Sequence, residues 1–309
     1  MGEATGVLLV NKPKGMTSHD VVNRVRRVFR QRKVGHAGTL DPDATGVLVL
    51  CLGYATRVLE YLTADDKEYE AQIVFGTATD TDDATGEVIA RRDASALTES
   101  DVMSALGKFQ GVVAQRVPAY SSVHIQGKRA YERARAGEDF TLPERTVTIY
   151  SVDLRSFSSG DSATGNLHVA CSKGTYIRSL CRDIGEAVGV PAHMGALNRT
   201  RSGVFSIEKT VTLEELETSE HPERALQPVV SALSLSKIFV EEDVANRLSV
   251  GQRVWVSRPF EPSGSEDRVS EDRVAVVYDG ALVAISEVKD SESDNWLLQP
   301  VKVFWKKDR

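Results

Sequence analysis

The chain has 309 residues, 41% apolar and 27% charged, with a formal net charge of −6. This composition suits a water-soluble globular protein with enough chain for a sizeable core, and excludes a disordered or collagen-like polymer. The acidic balance excludes a uniformly basic surface, yet residues 209–309 carry 13 Lys and Arg against 19 Asp and Glu, leaving 25 of each sign in residues 1–208, and a neutral body can still present a local basic stripe.

In chain order, Val7–Val10 reads as a buried strand. Asn11-Lys12-Pro13-Lys14-Gly15 ends it, because proline lacks an N–H and glycine permits a turn. Ser18 is the expected N-cap of a helix over about residues 19–31. Val21, Val22, Val25, Val28 and Phe29 recur there at helical spacing. Arg24, Arg26, Arg27 and Arg30 fall largely on the other side, with no interleaved carboxylates to pair them, which leaves either a solvated face or a contact for an RNA backbone. Residues 35–46 hold three glycines and a proline and are expected to form a shaped, irregular loop, anchored by the apolar run Val47–Leu52. That run is far short of the roughly 20 residues that a membrane-spanning helix needs.

Tyr69, Ala71, Ile73 and Phe75 alternate with polar residues, as in a half-buried strand. Asp80–Gly86 reads as a turn. Its glycine is misplaced for a calcium loop, and no closing glutamate follows. Thr98 with Asp101 caps a helix carrying Val102, Ala105, Leu106 and Phe109. Residues 115–139 are rich in polar and basic groups. Strands are expected over about 146–157 and 167–171, then a helix from about Tyr176 to Val188, stopped by Gly189 and Pro191. The composition changes near residue 224, beyond which come short strands at 252–257, 273–278, 282–288 and 297–304. Asp279-Gly280 signals a hairpin, and the Glu, Ser and Asp-rich segment 261–272 reads as a loop. The whole predicts an α+β body with a small β-rich appendage. Cys51, Cys171 and Cys181 lack metal or C-x-x-C spacing and read as reduced, buried thiols. The start MGEATGVLLV has no basic n-region, so a cytoplasmic protein without signal peptide is expected.

The residues with most chemical promise lie in the glycine-bounded loop. Pro42 favours an extended Asp41 and so a defined carboxylate direction. By residue type alone, Asp41 is either a turn cap or a reactive carboxylate. Arg178, in the first turn of a helix after Gly174, would lower the pKa of Asp41 if the two meet. Tyr69 and Tyr176 suit either core packing or stacking on an unpaired base. No residues show metal-ligand spacing, and no metal or cofactor is expected.

Four segments in order carry a resemblance: Gly6–Ser18, Val34–Pro42 with Ala44–Leu48, Lys67–Tyr69, and Cys171–Arg178. Over about residues 6–210 the sequence resembles the bacterial TruB family of tRNA pseudouridine synthases. The resemblance implies a pseudouridine-synthase core on a mixed, mostly antiparallel sheet flanked by helices, over residues 1–232. It also implies an RNA-clamping insertion at about 115–139 and a PUA-like β-rich domain at 233–309 that leans on the acceptor stem. The implied activity is conversion of the T-loop uridine at tRNA position 55 to pseudouridine by a cytoplasmic monomer, with a tRNA-folding role beside it. Asp41 aligns with the catalytic aspartate, Tyr69 with the tyrosine stacked on the target base, and Arg178 with the arginine that pairs the aspartate. His36 aligns with the histidine that helps displace the uridine, and Tyr176 and Leu197 with the uracil pocket. Lys12, Arg24, Arg27, Arg30, Lys128, Arg129 and Arg133 are the expected RNA contacts. Two positions depart from the family pattern: Tyr120-Ser121-Ser122-Val123-His124 stands for Tyr-Ser-Ala-x-Lys, and Asn198 stands where arginine is common.

Overall fold

Both apolar runs near the N-terminus form strands that are covered on both faces, which is why they are continuous rather than alternating. The computed structural model describes residues 3–121, 123–125, 127–138, 140–257, 273–292 and 295–305; the acidic 261–272 segment lies outside them. The first half of the body comprises β1 (Gly6–Lys12), α1 (Ser18–Val28), β2 (Val34–Ala37), β3 (Thr45–Leu52), α2 (Leu59–Ala64), β4 (Lys67–Phe75) and a hairpin of β5 (Thr77–Thr79) and β6 (Val88–Arg91). Then come α3 (Glu99–Leu106), β7 (Gly111–Arg116), β8 (His124–Ile125), β9 (Lys128–Arg129), α4 (Ala130–Arg135), β10 (Glu144–Ser158), β11 (Thr164–Cys171), α5 (Ile177–Val188), β12 (Ala192–Ser202), β13 (Phe205–Ser206), α6 (Leu213–Thr218) and α7 (Val229–Ala232). The C-terminal elements are β14 (Ser236–Phe239), α8 (Glu242–Ser249), β15 (Val254–Ser257), β16 (Arg273–Tyr278), β17 (Ala281–Glu292) and β18 (Asn295–Val303).

Nine strands make the large sheet, in the order β1-β3-β12-β4-β11-β10-β7, with β2 paired to β3 and β13 to β12. Its pairings are antiparallel except where β12 meets β3, parallel at Asn198↔Thr45 and Arg199↔Gly46. Val7, Leu9, Val47, Val49 and Cys51 pack with Val229, Leu233, Ala275, Leu282 and Ile285, so the C-terminal sheet covers that face. Leu8, Val10, Leu48, Leu50 and Leu52 pack on Val21, Val22 and Val25 of α1 and Leu213 and Leu216 of α6. Further along, β4 alternates strictly, and Tyr69, Ala71, Ile73 and Phe75 face α3 and α5 through Val102, Leu106, Leu180 and Ile184. The fold is the α+β arrangement expected from the sequence.

Several local expectations are corrected. The N-cap of α1 is Thr17, whose side chain accepts from Asp20 N in a capping box, and the helix stops at Val28. Ser18, released from capping, bonds to Leu40 instead. The irregular loop is only 38–44, because Val34–Ala37 pairs as a strand with the end of β3, and Thr45 and Gly46 already belong to β3. Thr98 does cap α3 in a capping box with Asp101, and Gly189 ends α5 at φ +73.

The C-terminal sheet has the order β14-β16-β17-β18-β15. Asp279 (φ 46) and Gly280 (φ 71) make its hairpin turn, as two positive φ values require. Cys51, Cys171 and Cys181 are free and buried. Burial pushes the Cys51 thiol up to about 12 and Cys171 to about 11, and raises Cys181 as well.

The tightest approach in the large sheet is at Gly46 (φ +101), where a Cβ would sit 2.7 Å from the Arg199 nitrogen and nearer still to its carbonyl oxygen. Gly46→Ala is expected to cost about 1–3 kcal/mol from backbone strain alone, read as a lowered urea midpoint. An unchanged midpoint would mean that β12 gives way without loss.

Candidate active site

The loop 38–44 is fixed from both sides of Asp41. The Ser18 hydroxyl donates to Leu40 O at 3.1 Å and accepts from Leu40 N at 2.9 Å. Lys12 Nζ donates to Pro42 O at 2.9 Å, to Pro13 O at 2.9 Å and to Met16 O at 2.5 Å. Gly15 N also donates to Pro42 O, at 2.9 Å. Farther out, Arg199 Nη2 donates to Gly38 O at 3.1 Å and its Nε to Val47 O at 2.8 Å. The two neighbours of Asp41 therefore have little freedom, and the carboxylate points where the backbone directs it.

It points at Arg178, in the first turn of α5. Arg178 Nε lies 3.0 Å from Asp41 Oδ2 and Nη2 lies 3.3 Å from Oδ1, a two-pronged grip of the kind a planar guanidinium makes best. The arginine is closed in from behind. Its Nη1 donates to Thr81 O at 3.1 Å and lies 3.7 Å from Asp83 Oδ2, and its Nη2 also donates to Tyr120 O at 3.0 Å. The Arg178 side chain is 6% exposed and the Asp41 side chain 37%, so the carboxylate is the open member of the pair. The start of α5 is itself pinned: Gln115 Oε1 accepts from Tyr176 N at 2.8 Å and Gln115 Nε2 donates to Tyr176 O at 2.9 Å.

Burial raises the Asp41 carboxyl above its ordinary range; Arg178 pulls it back, Asp83 adds to the rise, and Lys12 opposes it. The expected net lowering by Arg178 is thus reversed by desolvation. Tyr69 is buried on β4, opposite Arg199 of β12 and Val169 of β11. Burial raises its hydroxyl too, while the Arg199 charge opposes that and the Asp41 charge adds to it. Leu197 precedes Arg199 by two on β12, opposite Ala71, and packs on the same core as Tyr69. The Tyr176 ring lies 5.6 Å from the Arg145 guanidinium. His36 is on β2 opposite Leu50. Its Nδ1 is buried without a partner, and burial, then the Arg199 charge, lowers its pKa.

The basic residues expected on RNA are placed differently from one another. Lys12 is fully buried, its ammonium on three carbonyls. Arg24 is held by Glu217 of α6, with Nε to Oε1 at 2.6 Å and a second contact from Nη2 to Oε2; a distant carboxylate supplies what the helix itself lacks. Lys128 and Arg133 share Glu138, at 3.0 and 3.5 Å, and the Arg133 side chain is largely enclosed. Arg27, Arg30 and Arg129 are exposed. The sequence reading missed Arg199, Asp83 and Gln115. Two-residue alternation along β12 would have placed Arg199 on the face of Leu197. Among the described residues no group of three or more His, Cys, Asp and Glu is placed to hold a metal, and no helix is long and apolar enough to cross a membrane.

Residues 26–177 match the model of the TruB family pseudouridylate synthase N-terminal domain, and residues 178–234 that of the tRNA pseudouridylate synthase B C-terminal domain. Curated relatives include tRNA pseudouridine synthase B of Oceanobacillus iheyensis, 40% identical over 98% of this chain and 99% of the relative. The Thermobifida fusca protein of the same name is 42% identical over 97% and 99%. The chain belongs to the TruB family of pseudouridylate synthases. Among solved structures, an H/ACA ribonucleoprotein bound to a substrate RNA containing 2′-deoxyuridine includes a chain 26% identical, with TM-score 0.73, covering 98% of this chain and 86% of that one. The family models meet at Arg178, the residue that grips Asp41 across the cleft, and the five-stranded C-terminal sheet lies beyond both matched segments.

Because Arg178 opposes the upward push of burial, its removal raises the Asp41 pKa further. Arg178→Gln is expected to move the Asp41 titration to higher pH, followed by carboxyl carbon NMR on aspartate-labelled protein. An unchanged or lowered titration would show that the pair does not couple in solution.

Proposed function

We propose that this chain converts the uridine at position 55 of the tRNA T-loop to pseudouridine, with Asp41 as the catalytic carboxylate. One observation carries the reading: a partly open carboxylate, fixed through both flanking residues, is gripped by a buried arginine beside the aromatic Tyr69. The tRNA substrate named for the 40–42% identical relatives supports it.

Pseudouridine formation breaks the bond from uracil N1 to C1′, turns the base, and joins C5 to C1′. No redox change or external energy source is needed. Asp41 attacks C1′ or takes a proton from C2′; in either role Arg178 sets the direction of its two oxygens. A base, Tyr69 or Asp41, then removes the C5 proton. The uridine must first leave its stack, which costs a few kcal/mol. Tyr69, Tyr176 and Leu197 offer the detached base a ring and an apolar wall, and His36 takes part in displacing it. The exposed Arg27, Arg30 and Arg129 are the RNA-backbone contacts of this reading; Lys12 becomes a pin for the catalytic loop. Residues 233–309 act as a PUA-like appendage on the acceptor stem, and unfolding and refolding of the T-arm around base extrusion gives the protein a tRNA-folding role.

The decisive assay incubates the purified chain alone with unmodified tRNA and maps pseudouridine. Product at the T-loop uridine, without guide RNA or partner protein, is expected; product only with a guide would assign the chain to guided modification. Asp41→Asn, which keeps shape and removes charge, is expected to abolish turnover and leave tRNA affinity nearly unchanged. Turnover at the parental rate would sink the assignment.

RNA affinity is expected to fall with rising salt, since phosphate contacts release counterions. Neutralising Arg27, Arg30 and Arg129 in turn should each flatten the log–log salt slope by about one unit. A slope that does not change places the RNA elsewhere. Surface substitution is a cleaner probe of the appendage than deletion of 233–309, because Ala275, Leu282 and Ile285 cover Val7, Leu9, Val47 and Val49.

A further inference from the structure

Arg199 is the largest fully buried side chain in the molecule, 1% exposed. Lys12 and Lys67 are buried nearby; burial lowers the pKa of each to about 8, and the Arg199 charge adds to the fall. A buried charge usually has a carboxylate partner, because desolvation costs several kcal/mol per ion. These three have backbone instead: Lys12 Nζ ends on Pro13, Met16 and Pro42, Lys67 Nζ on Thr63 at 2.9 Å and on Asp65 O, and Arg199 on Gly38 and Val47. Among the described residues, none of the three forms an ion pair. The ionisable side chain opposite Arg199 on the neighbouring strand is Tyr69, whose hydroxyl the Arg199 charge acts on. Holding two loop carbonyls would need only donors; a permanent guanidinium without a counter-ion, set against a phenol, calls for a further reason.

We propose that Arg199 is a positioning residue for the last proton transfer: set across the strand pair from Tyr69, it stabilises the Tyr69 oxygen while that oxygen is a phenolate. This rests on the reading that the chain makes pseudouridine. The step balances as follows. Cleavage leaves the N1–C1′ electron pair on uracil N1, and the Tyr69 hydroxyl gives its proton to that nitrogen. The base turns, and C5 bonds to C1′. The C5–H electron pair returns to the ring as its proton passes to the Tyr69 oxygen. Tyrosine begins and ends as a phenol, and the enzyme gains and loses nothing. Between the two transfers the oxygen carries a negative charge in a buried site, where the fixed Arg199 charge acts with little screening. Arg178 serves the sugar side of the reaction, on Asp41, and Arg199 the base side, on Tyr69. Because Arg199 also ties Gly38 and Val47, the phenol and the carboxylate loop are held in one frame.

The test uses full-length parent, Arg199→Lys, Arg199→Gln, Tyr69→Phe and the double variant Tyr69→Phe/Arg199→Gln. Single-turnover rates are measured on a T-arm hairpin carrying uridine or 5-deuterouridine at the target. Hairpin affinity and thermal melting are recorded for each. The expected result is parental affinity, a rate loss of ~10²-fold in Arg199→Gln, typical of a lost acid–base contribution, partial recovery in Arg199→Lys, and a primary deuterium effect at C5 larger than the parent's. In the Tyr69→Phe background, Arg199→Gln is expected to add no further loss. A parental rate in Arg199→Gln overturns the proposal. So does a slowed variant with an unchanged deuterium effect, or one whose loss is the same with and without the Tyr69 hydroxyl; each makes Arg199 a loop clamp alone. Failure of both Arg199 variants to fold does the same, since it makes the residue a pin of the fold. A parent that forms no pseudouridine defeats the proposed function itself, which the parent arm shows separately.

Discussion

The position of one carboxylate depends on backbone carbonyls being held by buried donors. Leu40 and Pro42 flank Asp41, and each is tied down: Leu40 by Ser18 at the start of α1, Pro42 by Lys12 at the end of β1. A loop of seven residues would otherwise sample many states, and ordering each residue costs on the order of 1–2 kcal/mol. Here strands and a helix that must fold anyway supply the restraint. The same elements share a buried apolar cluster, β1 and β3 with α1 and α6, so the Asp41 loop is anchored on packed core, which opens less readily than loops and termini do.

Around that loop the charges divide by role. Arg178 is exposed to Asp41 on one side and enclosed on the other by Thr81, Asp83 and Tyr120. Asp82, in the same acidic turn, accepts from Arg182 at 2.7 Å, one helical turn further along α5. The acidic turn therefore serves as a socket for two arginines at i and i+4, which meet one face of a helix. Tyr120 lies within the segment 115–139, so its carbonyl on Arg178 links that segment directly to the residue that grips the carboxylate.

The parallel contact between β12 and β3 sets the geometry on the Tyr69 side of the site. It brings Arg199 under Gly46 and opposite Tyr69, so strands distant in sequence deliver aspartate, tyrosine and arginine to one place. On the far face, the five-stranded sheet shares its core with β1 and β3. The C-terminal unit is thereby part of what keeps β1 and β3 dry.

Much of this was determined by the sequence alone. Strict alternation in β4, capping boxes, glycine stops and the Asp279-Gly280 turn are local physics, and the strands and helices they imply are present. Four ordered motifs carried the family resemblance through which Asp41, Tyr69 and Arg178 were chosen, and the structure brings Asp41 and Arg178 into contact. What the tertiary structure alone decided is the partner of each charge. Arg24 has no carboxylate on its own helix, yet Glu217 reaches it from 193 residues away. Lys12 looks like a surface lysine beside two turn residues, yet strand pairing and the return of Pro42 bury it completely. The pKa of Asp41 could not be signed from its neighbours in sequence, because burial in the folded protein outweighs the one arginine. Pairing and desolvation depend on which distant segments meet, and a one-dimensional pattern carries no such distances.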